Sequence, residues 1–236
     1  MQLFALGVIL FFCALIQVTS GFGFALLAMP LVTLLLGIKE AAPLVAAGAL
    51  LINIANTLRL HRHINWPQLV RLGAAGLLGV PLGLWLAEQV PAHTVRLVLG
   101  CILVVYAAYS LFEPRDLRLA AAGWVYPTGL TAGMLGGAYN IPGPPLVVYA
   151  SLRGWPRDEF RSTLQTFFAV NAALVVTGHL MLGHFDRGVW QLVLLTSPAL
   201  LAGNLSGVAL DRYIDARRFQ IIVKLLILAT GLALIV

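Results

Sequence analysis

Charge is what this chain has least of. Asp, Glu, Lys and Arg make up 10% of its 236 residues, against 60% hydrophobic residues, which leaves too little polar surface to cover a soluble particle of that size. The scarcity excludes a water-soluble globule and makes lipid the solvent. Cysteine is nearly missing too. Cys13 and Cys101 each sit inside an apolar run without a companion at ligand spacing, which excludes a disulfide framework and makes each a small hydrophobe. Carboxylates are absent where membrane chemistry would need them, since all nine Asp and Glu lie at or near the ends of apolar runs. That removes a mid-bilayer carboxylate relay and the paired carboxylates of an intramembrane aspartyl protease. Ser20 has no histidine placed as its base, so an enzyme is disfavoured, and neither a cofactor nor a metal is expected. His61-x-His63 lacks Cys or carboxylate partners and belongs to a basic rim.

What is present is apolar chain in ten runs, at about 2–19, 24–37, 41–60, 67–88, 93–112, 117–136, 143–153, 160–183, 188–210 and 215–236. Most are near the roughly 20 residues that a spanning helix needs. The runs starting at 24 and 143 are too short, and each follows a glycine- and proline-rich interruption. The first reads Thr19-Ser20-Gly21-Phe22-Gly23-Phe24 and closes at Pro30; the second goes from Gly133 through Gly136-Gly137-Ala138-Tyr139-Asn140 to Pro142-Gly143-Pro144-Pro145. Met1-Gln2 offers no basic leader region, so the first run is expected to be a retained helix and not a signal peptide.

The two interruptions belong to two similar halves, 1–113 and 114–236. A shift of 115 places Pro30-Leu31 on Pro145-Leu146 and Asn56 on Asn171, and a shift of 124 places Gly79-x-x-x-Gly83 on Gly203-x-x-x-Gly207. Basic residues then orient the halves. If all ten runs cross, one side receives Arg59, Arg62, Arg115, Arg118, Arg153, Arg157, Arg161, Arg212, Arg217 and Arg218, and the other only Lys39, Arg96 and Arg187. Arg71 and Lys224 lie a little inside runs that begin on the rich side. The positive-inside rule makes that side cytoplasmic with both termini outside. Five crossings per half make the repeats inverted, and the formal charge of +6 reads as topology, with no nucleic-acid partner. The expected fold is therefore an all-α polytopic membrane protein of two inverted repeats, about eight long transmembrane helices plus two short broken or re-entrant ones. Trp66, Trp155 and Trp190 fall at run ends as interfacial anchors.

Eleven helical residues from 143 to 153 rise only about 16 Å against a hydrocarbon core near 30 Å, so 138–145 is expected to be extended and polyproline-like. Irregular backbone at that depth survives only in protein or beside a wet cavity. A helix restarting there aims free N–H groups and its dipole at the cavity, which favours an anion. The bland alternative is that the glycines only ease helix packing.

With its paired glycine-rich breaks, the whole chain resembles the sulfite exporter TauE/SafE family, also called the 4-toluene sulfonate uptake group. The resemblance implies a multi-pass protein of the bacterial inner membrane, with about eight spans, that moves sulfite, sulfoacetate and other organosulfur or carboxylate anions. Phe22, Phe24 and Tyr139-Asn140 depart from the glycine-dense form of the break and suit an anion with an organic body.

Polar residues inside the runs complete the expected site. Asn53 and Asn56 are one turn apart on one face, and Asn171 is the repeat partner of Asn56; Gln165 need not share the Asn171 face. Gln17 and Thr19 are placed to bond the freed backbone of the first break. Expected substrate contacts are Ser20, Gly21, Phe22, Gly23, Phe24, Asn53, Asn56, Gly136, Gly137, Tyr139, Asn140, Pro142, Gly143 and Asn171. His179, inside a run, is the candidate proton-coupling group, with hydrogen bonding to a neighbouring helix as its plain alternative. The expected function is a secondary transporter of small sulfur-containing or organic anions by alternating access at mid-membrane; the alternative is an anion channel or pore-forming subunit. Its partners are the small anion and the lipid bilayer, and a homo-oligomer is allowed.

Overall fold

The structure is a computed structural model that describes residues 2–111, 122–211, 213 and 216–235. Among them are ten α-helices: α1 Gln2–Ser20, α2 Phe24–Leu36, α3 Ile38–Leu60, α4 Trp66–Gln89, α5 Ala92–Leu111, α6 Val125–Tyr139, α7 Gly143–Leu152, α8 Arg157–Met181, α9 Arg187–Leu210 and α10 Ala216–Ile235. By length and composition α1, α4, α5, α8, α9 and the stretch Ile38–His63 can each cross a membrane, and α2 and α7 are shorter apolar helices. The protein is an all-α polytopic membrane protein. Leu58, Val105, Leu194 and Leu205 point outward, each at least 67% exposed, which water would penalise and acyl chains do not.

Small residues set the helix pairs. A Cβ on Gly79 would meet the Leu130 carbonyl, and one on Gly83 the Met134 carbonyl, so α4 and α6 lie backbone to backbone and run the same way. Gly203 and Gly207 meet the Phe11 and Leu15 carbonyls in the same manner, which makes α9 and α1 parallel. Such approach is possible only without side chains at the contact. The two Gly-x-x-x-Gly segments therefore do equivalent jobs, each packing a fourth helix of one half on the first helix of the other. On α5 and α10, Gly100 and Gly231 face each other, and a Cβ on either would lie within about 3 Å of the other's carbonyl: 2.8 and 3.1 Å.

The ends of the bundle follow from side-chain ties. At one end Asn65 Nδ2 donates to Glu159 Oε1 at 2.6 Å, and Arg161 reaches Asp211 at 2.9 Å, which gathers the starts of α4 and α8 and the end of α9. At the other, His184 Nε2 lies 3.7 Å from Glu88, beside the ends of α4 and α8. Arg59, Arg62, Arg153, Arg157 and Arg161 fall at the first end, and Lys39, Arg96 and Arg187 at the second. Arg115, Arg118, Arg212, the boundary at 113/114 and the side chains of Arg217 and Arg218 lie outside the described residues.

Both short helices fold back along their predecessors. Gln2 Nε2 donates to Leu35 O at 3.1 Å, which lays the end of α2 beside the start of α1. Tyr149 OH donates to Gln68 Oε1 at 3.0 Å, which brings the end of α7 to the end of the bundle where α4 and α6 begin. Two helical hairpins thus enter from opposite ends, and their turns pass each other inside. The second turn is tighter than the expected extended 138–145. α6 continues through Gly136 and Gly137 to Tyr139, the chain bends over 140–142, and helix resumes at Gly143. The reason is packing: Gly137 lies against the Val80 carbonyl and Gly136 against the Asn171 amide, so those glycines serve close approach within a helix, and the bend falls to Asn140 and Pro142.

Candidate functional site

At the first bend α1 stops at Ser20, and Gly21 and Gly23 take φ of 83° and 115°, backbone that a side chain disfavours. A buried glutamine holds the restart in place. Gln17 Oε1 accepts from Phe24 N at 2.8 Å, while its Nε2 donates to Asn53 Oδ1 at 2.8 Å and to Gln165 Oε1 at 3.2 Å. Gln165 Nε2 in turn donates to Gly21 O at 3.0 Å. Both glutamine amides and the Asn53 oxygen thus find partners, and such a buried network rigidifies a bend. Gln17 therefore bonds the freed backbone as its position predicts. Thr19 does not: its hydroxyl bonds carbonyls of its own helix, Leu15 and Ile16. Ser20 Oγ donates to Ile16 O at 2.6 Å and also contacts Phe22 O. Arg161 closes the bend from outside. Its guanidinium grips both Asp211 oxygens at 2.9 Å and donates to the Val18 and Thr19 carbonyls at the C-terminus of α1, where cations suit the helix dipole.

The second bend uses other means. Asn140 sits at φ 58°, its N–H bonded to Gly136 O at 2.9 Å, and the Ile141 N–H reaches back to Leu135 O at 3.1 Å, a left-handed helix stop. Asn140 Nδ2 donates to Ala42 O at 3.0 Å, tying the bend to α3. Pro144 and Pro145 then occupy the first turn of α7, where a missing N–H costs little.

Both bends open on one internal cavity of about 30 Å³, bounded by Gln17, residues 23–26 at the start of α2, Ala49 and Asn53 of α3, residues 140–143, and Phe168, Asn171 and Ala172 of α8. That volume admits only a water or two, so the site is closed. Donors converge on it. Among the described residues, the N–H groups of Ala25, Leu26 and Gly143 have no hydrogen-bond partner, as first-turn amides lack one within their own helix. Asn171 Nδ2 is buried and equally unpartnered. Among the described residues, no acidic side chain lines the cavity. A set of neutral donors with helix starts behind it can hold an anion.

The expected site residues divide. Gly23, Phe24, Asn53, Asn140, Pro142, Gly143 and Asn171 line the cavity; Ser20 and Phe22 line a neighbouring one. Gly21 lies against Arg161, and Gly136 and Gly137 lie in the α4–α6–α8 packing. Tyr139 packs half-buried at the edge of the core. Asn56 is elsewhere, its Oδ1 accepting from Asn204 Nδ2 at 3.1 Å. His179 is near the arginine-poor end, its Nδ1 2.8 Å from His184 Nδ1, outside the cavity. Gln165 was the residue that helical phase left off the site, because its contact is with Gly21 in the first bend, and phase within α8 carries no signal of that.

The family description "Sulfite exporter TauE/SafE" matches residues 6–234, which take in both bends and reach into all ten helices. The chain belongs to the TauE/SafE family. Relatives within reach of this TauE/SafE chain include the probable sulfite/organosulfonate exporter TauE of Cupriavidus necator, 26% identical over 201 residues, covering 81% of this chain and 77% of the relative. Another is the probable inner membrane transporter protein TsaS of Comamonas testosteroni, 23% identical over 175 residues, 73% of each chain. No solved structure matches.

Proposed function

We propose that this protein is a secondary transporter of small sulfur-containing or organic anions, such as sulfite, sulfonates or carboxylates, working by alternating access in a bacterial inner membrane. One observation carries the proposal: the starts of α2 and α7 and the Asn171 amide bring unpartnered N–H donors to a single cavity whose described lining holds no carboxylate. The relatives' names, an organosulfonate exporter and an inner membrane transporter, agree in substrate class and location.

Alternating access is supported by the way the halves interlock. The α4–α6 and α9–α1 pairs are equivalent under the repeat, and the hairpins enter from opposite ends. Inverted repeats of this kind let the same contacts exchange between two facing states around a fixed site. The closed cavity corresponds to an occluded point of that cycle. His179, stacked on His184 with Glu88 beyond it, is the proton-responsive group in this scheme.

Flux of labelled sulfite, a sulfonate and a carboxylate into proteoliposomes tests the scheme. Saturable flux of at least one is expected, and its loss in Gly143→Val with membrane insertion retained. Flux linear in the gradient, or single-channel currents in a planar bilayer, would make the protein a channel. An unchanged pH profile in His179→Ala removes the histidine from the scheme and leaves the site.

A further inference from the structure

Beside the first bend lies a second cavity, of about 110 Å³, several times the roughly 10–15 Å³ that one water requires. Its walls include Ser20 and Phe22 of the bend, Ser110 at the end of α5, Ser151 at the end of α7, and Lys224 of α10. The end of α7 and the bend both belong to the arginine-rich end of the bundle, and Lys224 Nζ ties α10 to Ser110 O at 2.5 Å. That bond uses one of three ammonium donors. Lys224 is the charged residue in the described lining; the neighbouring Asp211 carboxylate is held by Arg161 and Arg157.

The first bend lies between this cavity and the central one. Ser20 and Phe22 face the outer cavity, and Gly23 and Phe24 the inner. The Phe22 ring lines the outer cavity edge-on to Tyr106 at 6.4 Å and to Phe160 at 6.3 Å. It is carried between two left-handed glycines, Gly21 and Gly23, whose backbone is latched by Gln165 on the Gly21 carbonyl and Gln17 on the Phe24 amide, so release of that latch lets the glycines swing the ring.

We propose that the outer cavity is a docking site for a small oxyanion at the arginine-rich end, with Lys224 as its counter-charge and Phe22 as the gate to the central site. The proposal rests on the transport reading above. A cation in a low-dielectric recess concentrates anions at its mouth, and two free ammonium donors bind an anionic oxygen more strongly than neutral ones do. The volume and the hydroxyls of Ser20 and Ser151 suit a sulfonate or sulfite head.

A reactive cysteine at the site tests this without relying on transport. Cys101 is exposed and Cys13 buried, so Ser151→Cys is placed in a Cys101→Ser background and reacted with a methanethiosulfonate that carries a sulfonate, and with a neutral methyl analogue. Lys224→Gln is expected to slow the anionic reagent about tenfold, as loss of a charge-assisted contact requires, with the neutral rate unchanged and Lys224→Arg restoring the anionic rate. The unchanged neutral rate also reports that the variant is folded. An anionic rate indifferent to Lys224 overturns the docking site. So does phosphatidylglycerol that suppresses the anionic rate through Lys224 where phosphatidylcholine does not, since a lipid headgroup is then the occupant. In transport, Lys224→Gln should raise KM about tenfold for anion presented at the arginine-rich face and leave the maximal rate unchanged. A wild-type protein without flux but with Lys224-dependent labelling would sink the transport reading alone.

Discussion

At the first bend the chain turns on two left-handed glycines and a buried glutamine; at the second it turns on one left-handed asparagine and three prolines. Both deliver a helix start to the same cavity, yet they contribute different things. The start of α2 keeps the Ala25 and Leu26 N–H groups, whereas Pro144 and Pro145 strip donors from the start of α7 and leave Gly143. Proline also stiffens what it replaces. The first half therefore supplies most of the backbone donors, on a glycine hinge that Gln17 and Gln165 hold in place, and the second supplies a rigid wall with the Asn171 amide. The two bends thus divide into a binding edge and a supporting edge.

Arg161 is the sharpest way to break this comparison, because a shift of 115 places Ala46 at the corresponding point of the first half. The second bend has no such clamp. Arg161→Ala leaves Asp211 with Arg157 alone and strands two buried α1 carbonyls, and about 3–5 kcal/mol of stability should be lost, as when one partner of a buried pair is removed. Denaturation in detergent measures it, and a loss under about 1 kcal/mol would show that the first bend holds itself.

Gln17→Leu comes next. It leaves the Phe24 amide, Asn53 and Gln165 short of partners, and at about 1–3 kcal/mol for a buried group left unpaired the expected cost is near the top of that range. Anion flux should fall with it. Retained flux would mean that the cluster supports the fold without shaping the site.

Left-handed backbone gives a finer contrast. Gly23→Ala should cost about 1–2 kcal/mol for a Cβ at positive φ, and thermal shift reads it. Asn140→Gly should change stability by less than about 0.5 kcal/mol, since relief at positive φ offsets the lost bond to Ala42 O. Equal costs at the two sites would erase the distinction between hinge and wall.

The smallest effect on stability is expected at Gly143→Ala. The added Cβ meets Phe168 Cζ at 3.8 Å and Leu26 Cδ1 at 4.0 Å, ordinary contacts that leave the melting temperature within a degree or so for a change under about 0.5 kcal/mol. Because the methyl intrudes on the cavity edge, KM for the anion should still rise. An unchanged KM would place the anion on the α2 side alone.

Much of this was legible along the chain. The matched glycine pairs Gly79/Gly83 and Gly203/Gly207 identified equivalent packing seams, because close backbone approach demands small residues at helical spacing. The paired interruptions located both bends. The asparagines were less transparent: Asn56 and Asn171 correspond in sequence, but Asn171 faces the cavity while Asn56 bonds Asn204. A polar residue in an apolar run announces that it needs a partner and says nothing about which. Gly136 and Gly137 misled similarly, since a glycine that permits a bend and one that permits contact look alike until a neighbouring helix is present.

Composition and spacing by themselves determined the solvent, the order of helices and the point where α1 must stop, because those follow from hydrophobicity and from backbone rules that act within a turn or two. Only the packed bundle decided that the two stops share one cavity, that Gln17 and Gln165, 148 residues apart, lock the first of them, and that Lys224 stands over a second chamber behind Phe22. Such contacts depend on how whole helices cross, and no local pattern in either partner encodes that crossing.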